Sequence, residues 1–111
     1  MLRLGDVNQL QNTGSCKKCD LENADLSGAD LSNATLEKAV MNGINLSGAN
    51  LSGADLFGAF LNDANLSGAN LSSANLSGAT LHGAEVSGAS FSGATFCNTI
   101  TSDGETDSSG C

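Results

Sequence analysis

The chain has 111 residues, enough for one domain, with 14 Gly, 4 Phe and no Pro, Trp or Tyr, so its core must be built from small side chains. Twelve Asp or Glu against four Lys or Arg leave a net charge of −8, the wrong sign for neutralising phosphates, which excludes a nucleic-acid-binding surface. No apolar run approaches the roughly 20 residues that cross a bilayer, and no signal peptide is visible at Met1; an exported natural protein would make this a mature or trimmed form.

The first predicted element is a short helix over residues 6–13, inside an amino-terminal segment of residues 1–18. Asp6 is placed to cap it, Gln9 to complete a capping box, and Gly14 to end it. Leu4, Val7 and Leu10 fall on one face, which suits a lid over the end of the next element. Cys16 and Cys19 follow. This pair admits a short-range disulfide, a redox dithiol or half of a zinc site. Zinc needs four ligands together, and the other two cysteines, Cys97 and Cys111, lie at the far end of the chain. A thioredoxin-like dithiol needs a βαβ setting that is absent. A structural role, oxidised or buried, is therefore expected, with no metal and no cofactor.

Residues 19–98 read as sixteen five-residue units without insertion or deletion, the commonest being Ala-Asn/Asp-Leu-Ser-Gly. The third position is Leu in twelve units and Met41, Val86, Phe91 and Phe96 in the rest; the first is Ala in fourteen, with Cys19 and Ile44 as exceptions. A period of five suits neither regular element. It would spiral the leucines around a helix and alternate them across a straight strand. The chain must bend in every unit, and Gly, Asn or Asp fills fourteen of the sixteen fifth positions, as residues tolerant of positive φ. Repeated bends of one kind make a coil, with first and third positions inward and the other three outward. Disorder is excluded, because the apolar residues never leave register.

These units resemble those of the pentapeptide-repeat family, over 80 of the 111 residues. The resemblance implies an all-β solenoid, a right-handed quadrilateral β-helix of four coils: 19–38, 39–58, 59–78 and 79–98. Residues 20 apart would then stack, and coils roughly 4.8 Å apart would make a shaft of about 19 Å. Four leucine columns follow, and Phe91 and Phe96 in the last coil have the bulk to close its open end. Fourth-position serines would form surface ladders, Ser27, Ser47, Ser67, Ser87 on one face and Ser32, Ser52, Ser72, Ser92 on the next. The resemblance extends to short members from cyanobacteria and plant plastids, most without an assigned activity. The cysteine-bearing ends resemble members exported to the periplasm or thylakoid lumen, where disulfides persist, a cytoplasmic location being the alternative.

Residues 99–111 form a polar tail with little to hold it except Cys111. Four cysteines allow three pairings; Cys97–Cys111 is the preferred one, closing the tail onto the last coil. The single His82 sits at an outward fourth position and reads as a surface residue. Six Asn-X-Ser/Thr sequons and the many glycines are by-products of the repeat.

One departure from the repeat carries functional information. Val40 and Phe60 take second positions, normally Asn or Asp, and Phe57 a fourth, normally Ser. In a coil all three face outward, Val40 and Phe60 in neighbouring turns and Phe57 around the corner, as a small apolar patch of the kind that marks a contact. A closed shaft of Leu and Ala leaves no substrate pocket, and no acid–base pair stands out, so no enzyme is expected. The expected function is a non-enzymatic structural or interaction module that presents a rigid surface to a protein partner. The expected state is a monomer or a weak end-to-end dimer, without membrane insertion. The alternative is a DNA mimic that inhibits an enzyme such as gyrase, as some family members do. Against it, the acids crowd the first coil and the tail rather than forming a stripe.

Overall fold

The computed structural model describes residues 4–111, the side chain of Leu4 excepted. Helix α1, Leu4–Thr13, opens the chain. It begins two residues before Asp6, so Asp6 lies in the first turn and does not cap it. The Asp6 carboxylate instead accepts from the Asp20 amide at 2.8 Å and ties α1 to the chain beneath. Gln9 is not a capping-box partner either; its Nε2 donates to the Ser15 carbonyl at 2.8 Å. Gly14, at φ 71°, ends the helix, and its amide closes on Leu10 O at 2.8 Å. Leu10 is buried in the core with Val7 packed against it. The side chain of Leu4, expected on the same face, lies outside the described residues.

Beyond α1 the chain winds with a period of 20 residues. Parallel bridges join residue i to i + 20, from Ser15 with Thr35 to Thr80 with Ile100. The bonding in one unit explains the repeat. The third-position amide donates to the second-position carbonyl of the next turn (Leu46 N to Asn65 O, 2.8 Å). The fifth-position amide donates to the fourth-position carbonyl (Gly48 N to Ser67 O, 2.9 Å). The first-position carbonyl accepts from the second position of the next turn (Asn65 N to Ile44 O, 2.9 Å). Each corner is a turn closed by a bond such as Ala49 N to Leu46 O, 3.0 Å, with its third residue at positive φ, the type II pattern. All sixteen fifth positions have positive φ, including Lys38 and Ser73, which lack the usual tolerance for it.

The winding takes in a unit on each side of residues 19–98. Residues 14–18 pair with 34–38, putting Cys16 at an inward third position and Lys18 at a positive-φ corner. Residues 99–103 stack on 79–83 through Ile100 N to Ala79 O, Leu81 N to Ile100 O and Gly83 N to Ser102 O. The two short strands β1 (Thr99–Ile100) and β2 (Thr106–Asp107) then form an antiparallel hairpin. The tail returns over residues 94–98, with Gly110 N on Phe96 O at 2.7 Å.

First- and third-position side chains fill the interior, as at Ala39, Met41, Leu46, Leu51, Leu56 and Ala79, all with zero exposure. Burial of that kind contributes about 1.5–3 kcal/mol per large apolar side chain before chain entropy is set against it. The expected closure of the far end by Phe91 and Phe96 is incomplete. Their rings meet at 5.7 Å and 54°, but Val86, Phe91 and Phe96 are only partly buried. They border an apolar cavity of about 180 Å³. The reason is that the tail covers residues 94–98 and leaves 84–88 and 89–93 without a stacked neighbour.

Candidate interaction surface

Second-position side chains decide what each face of the winding presents. In most units this residue is Asn or Asp, and its Oδ1 accepts the amide two residues on: Asn65 from Ser67 N at 3.0 Å and Oγ at 2.6 Å, Asn70 from Ser72 N at 3.0 Å and Oγ at 2.7 Å. This is an Asx turn, and it supplies a partner for a fourth-position amide that the turn-to-turn bonds leave free. The hydroxyls of Ser27, Ser32, Ser67, Ser72 and Ser87 therefore bond within their own units. Among the described residues the stacked serines are not joined to one another by hydrogen bonds, as the expected ladder between turns would require. Where the acceptor is ionised, the same bonds stabilise its charge. The Ser27 and Ser32 hydroxyls, and then their amides, hold Asp25 and Asp30 below the ordinary carboxylate range, and Ser87 does the same for Glu85.

The face built from 39–43, 59–63 and 79–83 uses another arrangement. Val40 and Phe60 have no acceptor to offer, so the fourth position carries Asn and serves the turn above. Asn42 Oδ1 accepts from Asn62 N at 3.0 Å, and Asn62 Oδ1 from His82 N at 3.2 Å. An apolar second position is thus coupled to a vertical asparagine ladder. The result is a continuous line of second positions, Val40, Phe60, Thr80 and Ile100, bridged in that order and spanning about 14 Å at the strand spacing. Phe57 lies around the corner past Gly58, where the stem of Lys38 passes so close that a Cβ on Gly58 would sit 3.2 Å from it.

Phe57 and Phe60 are 43 % and 42 % exposed, the large hydrophobic side chains most open to solvent among the described residues. Val40, expected outward with them, is half-buried, as are Thr80 and Ile100. The hydroxyl of Thr80 is buried with no hydrogen-bond partner. Thr80 and Ile100 were not evident as members of the patch. Ile100 lies past the last recognisable unit, although an apolar residue five after Thr95 and twenty after Thr80 is the signal that places it.

The cysteines are joined as Cys16–Cys19 and Cys97–Cys111, with none free. The first pair is buried beneath α1, Cys16 at zero exposure and Cys19 at 7 %. The second clamps the tail and leaves Cys111 exposed. His82 is exposed beside the Gly104 turn of the tail. Among the described residues no group of three or more His, Cys, Asp or Glu is placed to hold a metal ion, and no helix is long and apolar enough to cross a membrane.

The sequence matches the family model for pentapeptide repeats in 8 copies, over residues 15–53, 49–88 and 74–100. Two similar crystal structures are cyanobacterial pentapeptide-repeat proteins. Rfr23 from Cyanothece 51142 is 29 % identical with a TM-score of 0.51, over 88 % of this chain and 98 % of its own. The protein alr5209 from Nostoc PCC 7120 is 28 % identical with a TM-score of 0.54, over 82 % of this chain and 77 % of its own. A pentapeptide-repeat protein from the Arabidopsis thaliana thylakoid lumen is 32 % identical, over 84 % of this chain and 74 % of its own, with a TM-score of 0.43. No curated protein matches the sequence.

Proposed function

Because the chain belongs to the pentapeptide-repeat family, whose members form right-handed quadrilateral β-helices and are generally structural or interaction modules, we propose that it is a non-enzymatic interaction module presenting the Phe57/Phe60 surface to a protein partner. In this reading four coils form a rigid shaft, α1 seals its amino end and the Cys97–Cys111 clamp holds the tail. The observation that carries the proposal is the coupled replacement on one face. Apolar side chains occupy consecutive second positions, Val40 and Phe60, and an asparagine ladder supplies the acceptor that Phe60 cannot give to the Asn62 amide. A stray surface phenylalanine needs no such support. Two exposed aromatic rings on an otherwise polar shaft are the side chains from which interface hot spots are built. Two oxidised pairs suit a compartment where disulfides persist, such as a periplasm or thylakoid lumen.

The test compares affinity capture by the wild type and by Phe57→Ser/Phe60→Asn, which installs the residue types that the repeat uses at those positions. A protein held by the wild type and lost by the variant supports the reading. Capture indifferent to the substitution removes the patch as the contact site.

A further inference from the structure

The carboxyl-terminal end of the winding is a second surface, separate from the Phe57/Phe60 face. Residues 99–103 supply the next turn over 79–83, and the tail covers 94–98, fixed by Gly110 N on Phe96 O, Asn98 N on Ser108 Oγ at 3.0 Å and the Cys97–Cys111 disulfide. Units 84–88 and 89–93 have no turn hydrogen-bonded above them. Every unit from 14–18 to 79–83 uses its third- and fifth-position amides and its first-position carbonyl to join the next turn. Among the described residues, the amides of Val86, Gly88, Phe91 and Gly93 and the carbonyls of Ala84 and Ala89 have no hydrogen-bond partner. Beside this unfinished edge lies the cavity of about 180 Å³ lined by Leu81, Val86, Phe91 and Phe96 together with Thr101, Ser102 and Asp107 of the tail. An unpaired ladder next to an apolar hole is the arrangement by which a sheet edge accepts an added strand.

Area and charge select the occupant. The molecule measures 23 × 22 Å across, about 500 Å² of end face, roughly half of it under the tail; a stable protein pair buries about 800 Å² on each partner. Two copies set end to end fall well short. Every Lys and Arg lies at or before residue 38, whereas Glu85, Asp103, Glu105 and Asp107 belong to the last turn and the tail. Apposed ends would set like charges against each other, and a cationic segment would meet opposite charge.

We propose that units 84–88 and 89–93 accept a basic extended peptide segment of another protein. The segment pairs with the open edge as a further half-turn, seats one aliphatic side chain in the cavity and sets Lys or Arg beside Glu85 and Asp107.

The probe is a capped decapeptide, Ala-Lys-Leu-Ser-Gly twice over, which carries the pattern of two units with Lys at the second position. Titrated into isotope-labelled, oxidised protein, it is expected to shift the amide resonances of Val86, Gly88, Phe91 and Gly93 and to slow their hydrogen exchange. Its Kd should rise about threefold or more between about 50 and about 300 mM NaCl. Glu85→Gln/Asp107→Asn should weaken it by a similar factor, an unchanged spectrum elsewhere showing that the variant is folded. The same decapeptide with Glu in place of Lys should not bind. Phe57→Ser/Phe60→Asn should bind the Lys peptide as the wild type does, so failure of one surface is read separately from failure of the other. The proposal is overturned by silence of the four amides at about 2 mM Lys peptide, or by equal binding of the Lys and Glu peptides. Sedimentation that shows self-association through those amides, uncompeted by the peptide, overturns it too and makes a second copy the occupant.

Discussion

Thr80 offers a direct test of how the apolar face is built. It lies between Phe60 and Ile100 in the bridge ladder, and its Oγ1 is buried without a partner. The usual second-position residue would accept the amide two residues on, but His82 N already donates to Asn62 Oδ1. Thr80→Val replaces the unmet hydroxyl by a methyl of similar volume and keeps the β-branch. Leaving a buried hydroxyl unsatisfied costs about 1–3 kcal/mol, so the substitution should stabilise the protein by about 1–2 kcal/mol. At about 2.1 cal/mol/K per residue, 111 residues have an unfolding entropy of about 0.23 kcal/mol/K, and Tm should rise by about 4–9 °C. Calorimetry of the oxidised protein at neutral pH measures this, with agreement between calorimetric and van't Hoff enthalpies as the check on two-state unfolding. Thr95→Val is the control, because Thr95 is an exposed second-position residue and its change should stay within about 0.5 kcal/mol. A Thr80→Val protein no more stable than wild type, or no better than Thr95→Val, would refute the reasoning, since the hydroxyl would then have a partner worth keeping.

The two disulfides should differ in access. Mild reductant followed by alkylation and mass spectrometry should label Cys97 and Cys111 well before Cys16 and Cys19, which lie buried under α1; simultaneous labelling would mean that α1 does not cover its end. Removing the clamp with Cys97→Ser/Cys111→Ser should free the tail, seen as faster exchange of the Gly110 and Asn98 amides, and chain entropy sets the upper limit of the loss at about 3 kcal/mol for a loop of this size. Acid should weaken the fold in a defined direction. Asp25 and Asp30 have folded-state pKa values below the ordinary range, so their contribution is complete above the unfolded carboxylate pKa and is lost as pH falls through the folded values. The fall in Tm between about pH 5 and about pH 2 should be shallower in Asp25→Asn/Asp30→Asn, where Oδ1 still accepts; an unchanged slope would show that these turns do not sense protonation. Phe57 and Phe60 are each more than half buried, so Phe57→Ser/Phe60→Asn should cost about 1–2 kcal/mol per ring yet stay folded by circular dichroism; loss of the folded signal would place the rings in the core.

How much of the molecule was legible in the sequence depends on how far apart the causes lie. The inward Ala and Leu positions and the positive-φ corners are decided within five residues, by side-chain size and by the backbone freedom of Gly, Asn and Asp, so the period alone carried them. The Phe57/Phe60 patch was legible for the same reason, since an apolar residue at an outward position stands out against its own unit. Other features depend on residues twenty apart or on the lack of a neighbour. Gly14, Cys16 and Thr99 carry no Ala or Leu signature and join the winding only because the edges of 34–38 and 79–83 need partners. The asparagine ladder that supports Phe60, and the place of Thr80 and Ile100 in its stripe, exist only once turns are stacked. Asp6 illustrates the same limit: its local context marked it as a cap, and a free amide on Asp20 claimed its carboxylate instead. The open edge at Val86 and Phe91 depends on where the tail lies, held over residues 94–98 by the Cys97–Cys111 disulfide and the Gly110 and Ser108 hydrogen bonds. A unit identical in pattern to those before it is left unpaired there, because hydrogen bonds between turns belong to the assembled shaft and not to any one repeat.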